Sequence, residues 1–171
     1  MSRKFSNSKT DKYLDTLSQY ISLDNDDCDL SKRSKFNFSY FCDDQKCACS
    51  IDEWGGDNSS AFLKKLIELS KHSLLDLRRL PIGSGRKRRN ILEVYQQYPS
   101  HSNFSRPVHV PHQAEWARIR LDSATRLIGF VLPDDYHGAH HQVTSYQYDK
   151  NTFYVVFIDK NHNFYPTKKI S

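Results

Sequence analysis

The chain is short of the residues that crosslink or interrupt a fold. Its 171 residues include six glycines, six prolines, four cysteines and one methionine. No run of apolar residues is long enough to cross a bilayer, and the first residues lack the apolar stretch of a signal peptide. These absences argue against a membrane-spanning chain and against a secreted scaffold built on disulfides, so we expect a cytoplasmic protein with free thiols.

Metal-binding patterns are also weak. Cys42, Cys47 and Cys49 contain no CxxC pair, and a fourth zinc ligand would have to come from Cys28 or from a distant histidine. The polar loop over residues 133–148 carries three histidines, which form a second candidate metal site. Histidines in a flexible loop are more often simply solvated, so we expect no metal ion and no other cofactor.

Positive charge is concentrated in the middle of the chain. Hydrophobic residues make up 37%, the mean hydropathy is −0.73 and the net charge is +5. Residues 58–132 carry a net charge of +8, whereas residues 1–57 carry −3. A basic block of this kind attracts polyanions, although a solvated cationic surface explains the charge equally well.

The first half of the chain alternates between helical and strand patterns. Residues 12–23 have apolar side chains at helical spacing, which predicts a short amphipathic helix in an N-terminal extension over residues 1–33. Residues 35–42 alternate with period two and predict a first strand. A helical pair over residues 57–80 follows, and Ser73 with Asp76 resembles a capping box that starts its second helix.

The segment between the helical pair and the last third of the chain is polar and irregular. Residues 83–90 form a basic loop, residues 91–98 predict a brief helix, and the prolines of residues 99–111 predict an extended loop. The loop contains four consecutive cations, which repel one another unless an anion is near: Arg86, Lys87, Arg88 and Arg89. We expect these side chains to bind the backbone of a polyanion such as RNA, without sequence preference.

Three strand patterns occupy the last third of the chain, over residues 116–121, 125–132 and 151–159. If a three-residue loop joins the first two, Arg120 faces Arg126. One face of this hairpin is then apolar and packs on the core: Ala117, Ile119, Leu121, Leu127 and Val131. The opposite face is a guanidinium surface suited to an anion: Arg118, Arg120 and Arg126.

Together these patterns predict an α+β fold. We expect a small antiparallel sheet, made of one N-terminal strand and three C-terminal strands, with the helical pair on one face and an extra N-terminal helix. The domain would span residues 34–171. Trp116 is expected in the core.

The order of elements and a few short motifs resemble the RelE/ParE superfamily of bacterial toxins. The matching motifs are Trp116-Ala-Arg-Ile-Arg, Thr125-Arg-Leu-Ile-Gly-Phe and His162-Asn-Phe-Tyr165. The resemblance covers roughly residues 34–168. The chain departs from the pattern in its greater length, in the two residues between the histidine and the tyrosine, and in the tail after residue 165.

The resemblance implies a toxin of a toxin–antitoxin or related defence module, held inactive by a protein antitoxin. Its ribonuclease branch cleaves messenger RNA without a metal ion, commonly on the ribosome. Carried over to this chain, Arg126 is the phosphate-binding arginine, Arg118 is the arginine of the preceding strand, and His162 and Tyr165 are the terminal acid and base. The alternative is a non-enzymatic nucleic-acid-binding or gyrase-binding module with the same fold.

The residue types suit this chemistry. Arginine keeps its charge and presents a planar fork to two phosphate oxygens, so Arg126, Arg118 and Arg120 can stabilise a phosphorane. Histidine titrates near neutrality and can transfer a proton. Each residue also has a structural explanation: the arginines of the hairpin could pair with Asp122 or Asp159, His162 could simply belong to a turn, and Tyr165 could lie at the edge of the core.

Overall fold

The computed structural model describes residues 8–17, 22–50, 52–83 and 88–166. The chain divides into two compact units, Met1–Lys32 and Arg33–Ser171. In the first unit, helix α1 spans Ser8–Leu17. It confirms part of the helix predicted over residues 12–23, and residues 18–21 lie outside the described residues. Tyr13, expected on its apolar face, is exposed. No helix in the described ranges has the length and apolar character needed to traverse a bilayer.

The second unit has an α+β fold built on a mixed five-stranded sheet with the strand order β1-β7-β6-β5-β4. Its strands are β1 Lys35–Asn37, β4 Leu92–Gln96, β5 Glu115–Arg120, β6 Arg126–Val131 and β7 Thr152–Asp159. A separate two-stranded ribbon pairs β2 Pro81–Ile82 with β3 Arg89–Asn90. The loop predicted over residues 83–90 is wrong at its end, because Arg89 and Asn90 form β3, and residues 84–87 lie outside the described residues.

Strand β1 corrects two expectations. It runs parallel to β7, so the sheet is mixed rather than fully antiparallel. More than a hundred residues separate these two strands, and without a tight turn between them nothing in the local sequence fixes their relative direction. The strand predicted over residues 35–42 also ends early, because the side chain of Asn37 accepts a hydrogen bond from the backbone of Ser39 and starts a turn.

The brief helix predicted over residues 91–98 is wrong, because this segment forms strand β4. Leu92 is buried, Val94 packs against the same apolar cluster, and Glu93 and Tyr95 alternate with them. β4 pairs antiparallel with β5, which places Glu93 opposite Arg118. β-branched and aromatic residues favour a half-buried strand, and pairing with the free edge of β5 stabilises the strand relative to a helix.

The predicted helical pair is confirmed. Helix α2 spans Gly55–Ser70 and follows a short 3-10 helix, Asp52–Trp54. Helix α3 spans Leu74–Leu77 and begins at the predicted capping box. The hydroxyl of Ser73 accepts a hydrogen bond from the backbone of Asp76 at 3.0 Å, and the Asp76 carboxylate accepts one from the backbone of Ser73 at 3.1 Å.

The hairpin register is confirmed, since Arg120 pairs with Arg126 and Ile119 with Leu127. The predicted apolar face lies in the main core, where side chains of α2 and α3 cover it: Leu66, Leu69, Leu74 and Leu77. The opposite face differs from the expectation of a guanidinium surface. Over most of its length it is a second apolar cluster that includes the buried Trp116.

Loop and C-terminal residues complete this second cluster. Phe104 and Val110 come from the loop between β4 and β5, and Phe164 comes from the segment after β7. Phe104 stacks on Phe157 with ring centroids 4.5 Å apart. The arginines therefore occupy only the end of this face that lies next to the β5–β6 turn.

Gly129 is required by the close approach of two strands. A Cβ at this position would overlap the carbonyl oxygen of Tyr154 and touch the ring of Phe153. We expect Gly129→Ala to lower the free energy of unfolding by about 3 kcal/mol, measured by chemical denaturation.

Gly138→Ala is the matched control. Gly138 has a φ of 75°, but nothing lies within 4 Å of an added Cβ. Backbone strain alone should cost about 1 kcal/mol there. Equal losses for the two variants would contradict the steric explanation.

Candidate functional site

A cleft of about 670 Å³ lies at the arginine end of the second sheet face. We call it the arginine cleft. The β2–β3 ribbon forms one wall, the β5–β6 turn another, and the segment after β7 a third. The residues that matter for its chemistry are Arg89, Arg120, Asp122, Ser123, Arg126 and His162.

The sheet register brings the charged side chains together. Arg120 on β5 is directly opposite Arg126 on β6, and Arg126 is directly opposite Asp159 on β7. Arg118 lies two residues before Arg120 and therefore points to the same face. Three arginines and one carboxylate thus occupy neighbouring positions at one end of the sheet.

Arg126 is buried and holds the β5–β6 turn from inside. One η nitrogen donates hydrogen bonds to the carbonyl oxygens of Asp122 at 3.0 Å and Thr125 at 2.9 Å, and the other donates to Ser123 at 3.2 Å. Burial and the neighbouring charges of Arg120 and Arg118 lower the pKa of Arg126 to about 10. Arg126 stays charged at neutral pH, but its η nitrogens bind the turn instead of a ligand.

Asp122 stabilises the same turn through hydrogen bonds to its backbone. Its carboxylate accepts hydrogen bonds from the backbone of Ala124 and Thr125, both at 2.7 Å. Burial opposes ionisation of Asp122, but these backbone hydrogen bonds and the charge of Arg126 lower its pKa overall. The turn is therefore fixed by one cation and one anion.

Arg120 lines the cleft together with Arg89 and Arg126. The Nε of Arg120 is buried without a hydrogen-bond partner, as is the Nε of Arg126, but it is Arg126 whose η nitrogens donate to the turn carbonyls. In the described part of the chain no carboxylate forms an ion pair with it, so neither of the predicted partners, Asp122 and Asp159, neutralises its charge. Of the two opposed arginines, Arg120 is thus better placed than Arg126 to bind an anion.

Arg118 pairs with an acid that the sequence did not indicate. Its Nε donates a hydrogen bond to Glu93 at 3.1 Å, and its guanidinium carbon lies 5.8 Å from the centre of the Tyr95 ring. The sequence suggested Asp122 or Asp159 as the partner. Glu93 was missed because its segment was read as a helix, although the alternation of Leu92 and Val94 with Glu93 and Tyr95 was the available signal.

His162 is held in the cleft by a turn that Asp159 organises. One carboxylate oxygen of the buried Asp159 accepts hydrogen bonds from the backbone of Asn161 and Asn163, both at 3.0 Å, and the other accepts from Phe164 at 2.9 Å. His162 itself has a φ of 57°. Burial, followed by the charge of Arg126, lowers the pKa of His162, so its neutral form predominates at neutral pH.

Tyr165 lies beside the cleft rather than at its lining. It is 54% exposed, and its ring stacks on Tyr95 with centroids 5.2 Å apart and an interplanar angle of 4°. Because Arg118 contacts the same Tyr95 ring, the two tyrosines form an aromatic surface next to the arginines. Tyr165 is therefore neither in the core nor in direct contact with the cleft.

The basic loop reaches the cleft through Arg89, which lines its wall. An η nitrogen of Arg89 donates a hydrogen bond to the carbonyl of Arg88 at 3.0 Å, and Arg88 is exposed. Arg86 and Lys87, predicted to bind RNA with them, lie outside the described residues.

Within the described ranges, no group of three or more histidine, cysteine or acidic side chains could hold a metal ion. Comparison with protein-family models, with curated proteins and with solved structures finds no match. The functional argument for this chain therefore depends on the geometry and electrostatics of the cleft.

The two opposed arginines should differ in their effect on stability. Arg126→Gln removes the donors to three turn carbonyls and should lower the free energy of unfolding by about 3 kcal/mol. Arg120→Gln removes an equal charge from the same cleft and relieves repulsion, so we expect a change within about 1 kcal/mol. Chemical denaturation measures both, and equal destabilisation would contradict the different roles.

Proposed function

We propose that the protein is a metal-independent endoribonuclease whose active site is the arginine cleft. The observation that carries this proposal is the placement of two directly opposed arginines, Arg120 and Arg126, with the neutral imidazole of His162 in one cleft. Together they offer positive charge for a phosphate and a proton acceptor beside it.

The electrostatics favour an anionic ligand. Like charges directly opposite each other across two strands destabilise a sheet. Here the repulsion is strong enough to contribute to the lowered pKa of Arg126. A phosphate bound between Arg120 and Arg89 would relieve this repulsion, and it would also favour the protonated form of His162 once the proton has been accepted.

The proposed reaction uses the 2′-hydroxyl of the RNA as nucleophile. His162 accepts its proton as the new P–O2′ bond forms, and Arg120 stabilises the charge on the phosphorane oxygens. The P–O5′ bond then breaks, and the leaving 5′-oxygen takes a proton from solvent water at the mouth of the cleft. The products are a 2′,3′-cyclic phosphate and a 5′-hydroxyl end.

The surroundings of the cleft support this assignment. Arg118 and Glu93 lie on the same sheet face, and Glu93 provides a second proton acceptor next to the arginines. The stacked rings of Tyr95 and Tyr165 offer an aromatic surface for an unpaired base. Arg126 acts through the turn that it holds, so it positions the cleft rather than contacting the phosphate.

The biological setting follows from the resemblance to the RelE/ParE superfamily. We propose a cytoplasmic toxin of a toxin–antitoxin or defence module that cleaves messenger RNA on the ribosome or free of it. A protein antitoxin would hold it inactive. The clustered cations of the central block would bind the RNA backbone through Arg88 and Arg89.

A second candidate is a non-enzymatic nucleic-acid-binding or gyrase-binding module. The observation that favours it is the fork of Arg126, whose η nitrogens are committed to backbone carbonyls instead of a ligand. Such a module would bind nucleic acid with strong salt dependence but form no product.

Cleavage of RNA by the purified protein in the presence of a chelator tests the proposal. We expect Arg120→Ala and His162→Ala each to lower the cleavage rate by at least about 100-fold, because each removes a group that acts in the transition state. Arg79→Ala, an exposed arginine outside the cleft, is the control. Salt-sensitive binding without product from the wild-type protein would favour the second candidate.

The pH dependence tests the role of His162. Because its pKa lies below the ordinary value of about 6.5, the base form is lost only as the pH falls through this lower value. We expect kcat/KM to rise with pH below neutrality and then level off, and His162→Gln to remove this rise. A wild-type rate that falls across the same acidic range as the pH increases would contradict a base role.

A further inference from the structure

A second cleft lies on the other side of the β5–β6 turn. It has a volume of about 400 Å³, and we call it the lysine cleft. Its main lining residues are Asn58, Phe62, Lys65, Leu121, Asp122 and Lys160. Asp122 lines both clefts, so the turn is the wall that separates them.

The floor of the lysine cleft is apolar and well supported. Phe62 and Leu121 belong to the main core or pack against it. Phe62 also meets Phe38 edge to face, with ring centroids 6.4 Å apart. A half-buried ring held from two sides is a suitable surface for stacking a flat, unpaired base.

The rim of the cleft is cationic. Lys65 belongs to helix α2 and Lys160 to the segment directly after β7, so two elements distant in sequence each contribute a lysine to the lining of one cavity. Asp122 is the acid on this rim, and its carboxylate already accepts two backbone hydrogen bonds. The apolar surface suits the base of a nucleotide, and the lysines beside it suit the phosphate.

The two clefts are also connected through one short segment. Lys160 lines the lysine cleft, and His162, two residues later, lines the arginine cleft. A single-stranded RNA that crosses the β5–β6 turn can therefore place one phosphate beside His162 and a neighbouring nucleotide over Phe62. A structural explanation, in which Lys65 only solubilises helix α2, would give it no such effect on a ligand.

We propose that the lysine cleft is a binding subsite for a nucleotide that flanks the scissile phosphate of a single-stranded RNA. Lys65 binds its phosphate, Phe62 stacks on its base, and Asn58 contacts the base edge. The inference rests on the proposed ribonuclease function and deepens it, because an oligonucleotide longer than the scissile dinucleotide is then the better substrate.

The experiment compares Lys65→Ala with Lys64→Ala, two neighbouring lysines of α2 of which only Lys65 lines the cleft. Both variants lose one positive charge, so a non-specific electrostatic effect should be the same for the two. The cleavage assay uses an eight-nucleotide RNA and a dinucleotide. The binding assay uses fluorescence anisotropy of the eight-nucleotide sequence with 2′-deoxyribose, which cannot be cleaved, at several salt concentrations.

We expect Lys65→Ala to lower kcat/KM about tenfold on the eight-nucleotide RNA and to leave cleavage of the dinucleotide unchanged. Its affinity for the deoxy oligonucleotide should fall by a similar factor, and the slope of log affinity against log salt should decrease by about one. Lys64→Ala should behave like the wild type in both assays.

Equal effects of the two substitutions on the eight-nucleotide ligand would overturn the subsite, even if cleavage is intact. A loss confined to Lys65→Ala in binding, with no product from the wild-type protein, would support the subsite and reject the ribonuclease function. Phe62→Leu keeps the core filled while it removes the aromatic ring, and it should weaken binding of the oligonucleotide without changing cleavage of the dinucleotide.

Discussion

The functional end of the sheet depends on the hydrogen bonds between the buried guanidinium of Arg126 and the carbonyl oxygens of the β5–β6 turn. These bonds fix the turn that separates the two clefts, while Asp122 fixes it from the other side. Burial lowers the pKa of His162, the same buried charge lowers it further, and that charge faces Arg120 across the hairpin. Arg126 thus contributes to the shape, the charge and the protonation state of the site.

The second sheet face carries an apolar aromatic cluster directly beside a group of arginines. Trp116 and its aromatic neighbours form a dry cluster over most of this face, and the arginines occupy its end. Phe164, anchored in the cluster, belongs to the same short segment as His162, which faces the cleft. Packing of Phe164 in the cluster and the hydrogen bonds of Asp159 therefore both anchor the segment that carries the imidazole.

The sequence predicted the parts of this arrangement that local pattern controls. Alternation and a short loop were enough to place Arg120 opposite Arg126, and a capping box located the start of α3. It did not predict the direction of β1 or the strand at Glu93, because both depend on pairing with strands far away along the chain. The sequence also did not predict that Arg126 binds the β5–β6 turn, because the residue pattern does not show where the carbonyl oxygens of a turn lie.

The turn between the clefts also forms a ridge that separates them. Under the proposed function, an RNA strand that contacts both clefts has to bend over this turn, which the hydrogen bonds of Arg126 and Asp122 hold in place. An unpaired strand accommodates such a bend at low cost, whereas a base-paired helix is stiff over this length. The shape of the wall alone would then select looped or extended single strands and reject duplexes, without reading any base.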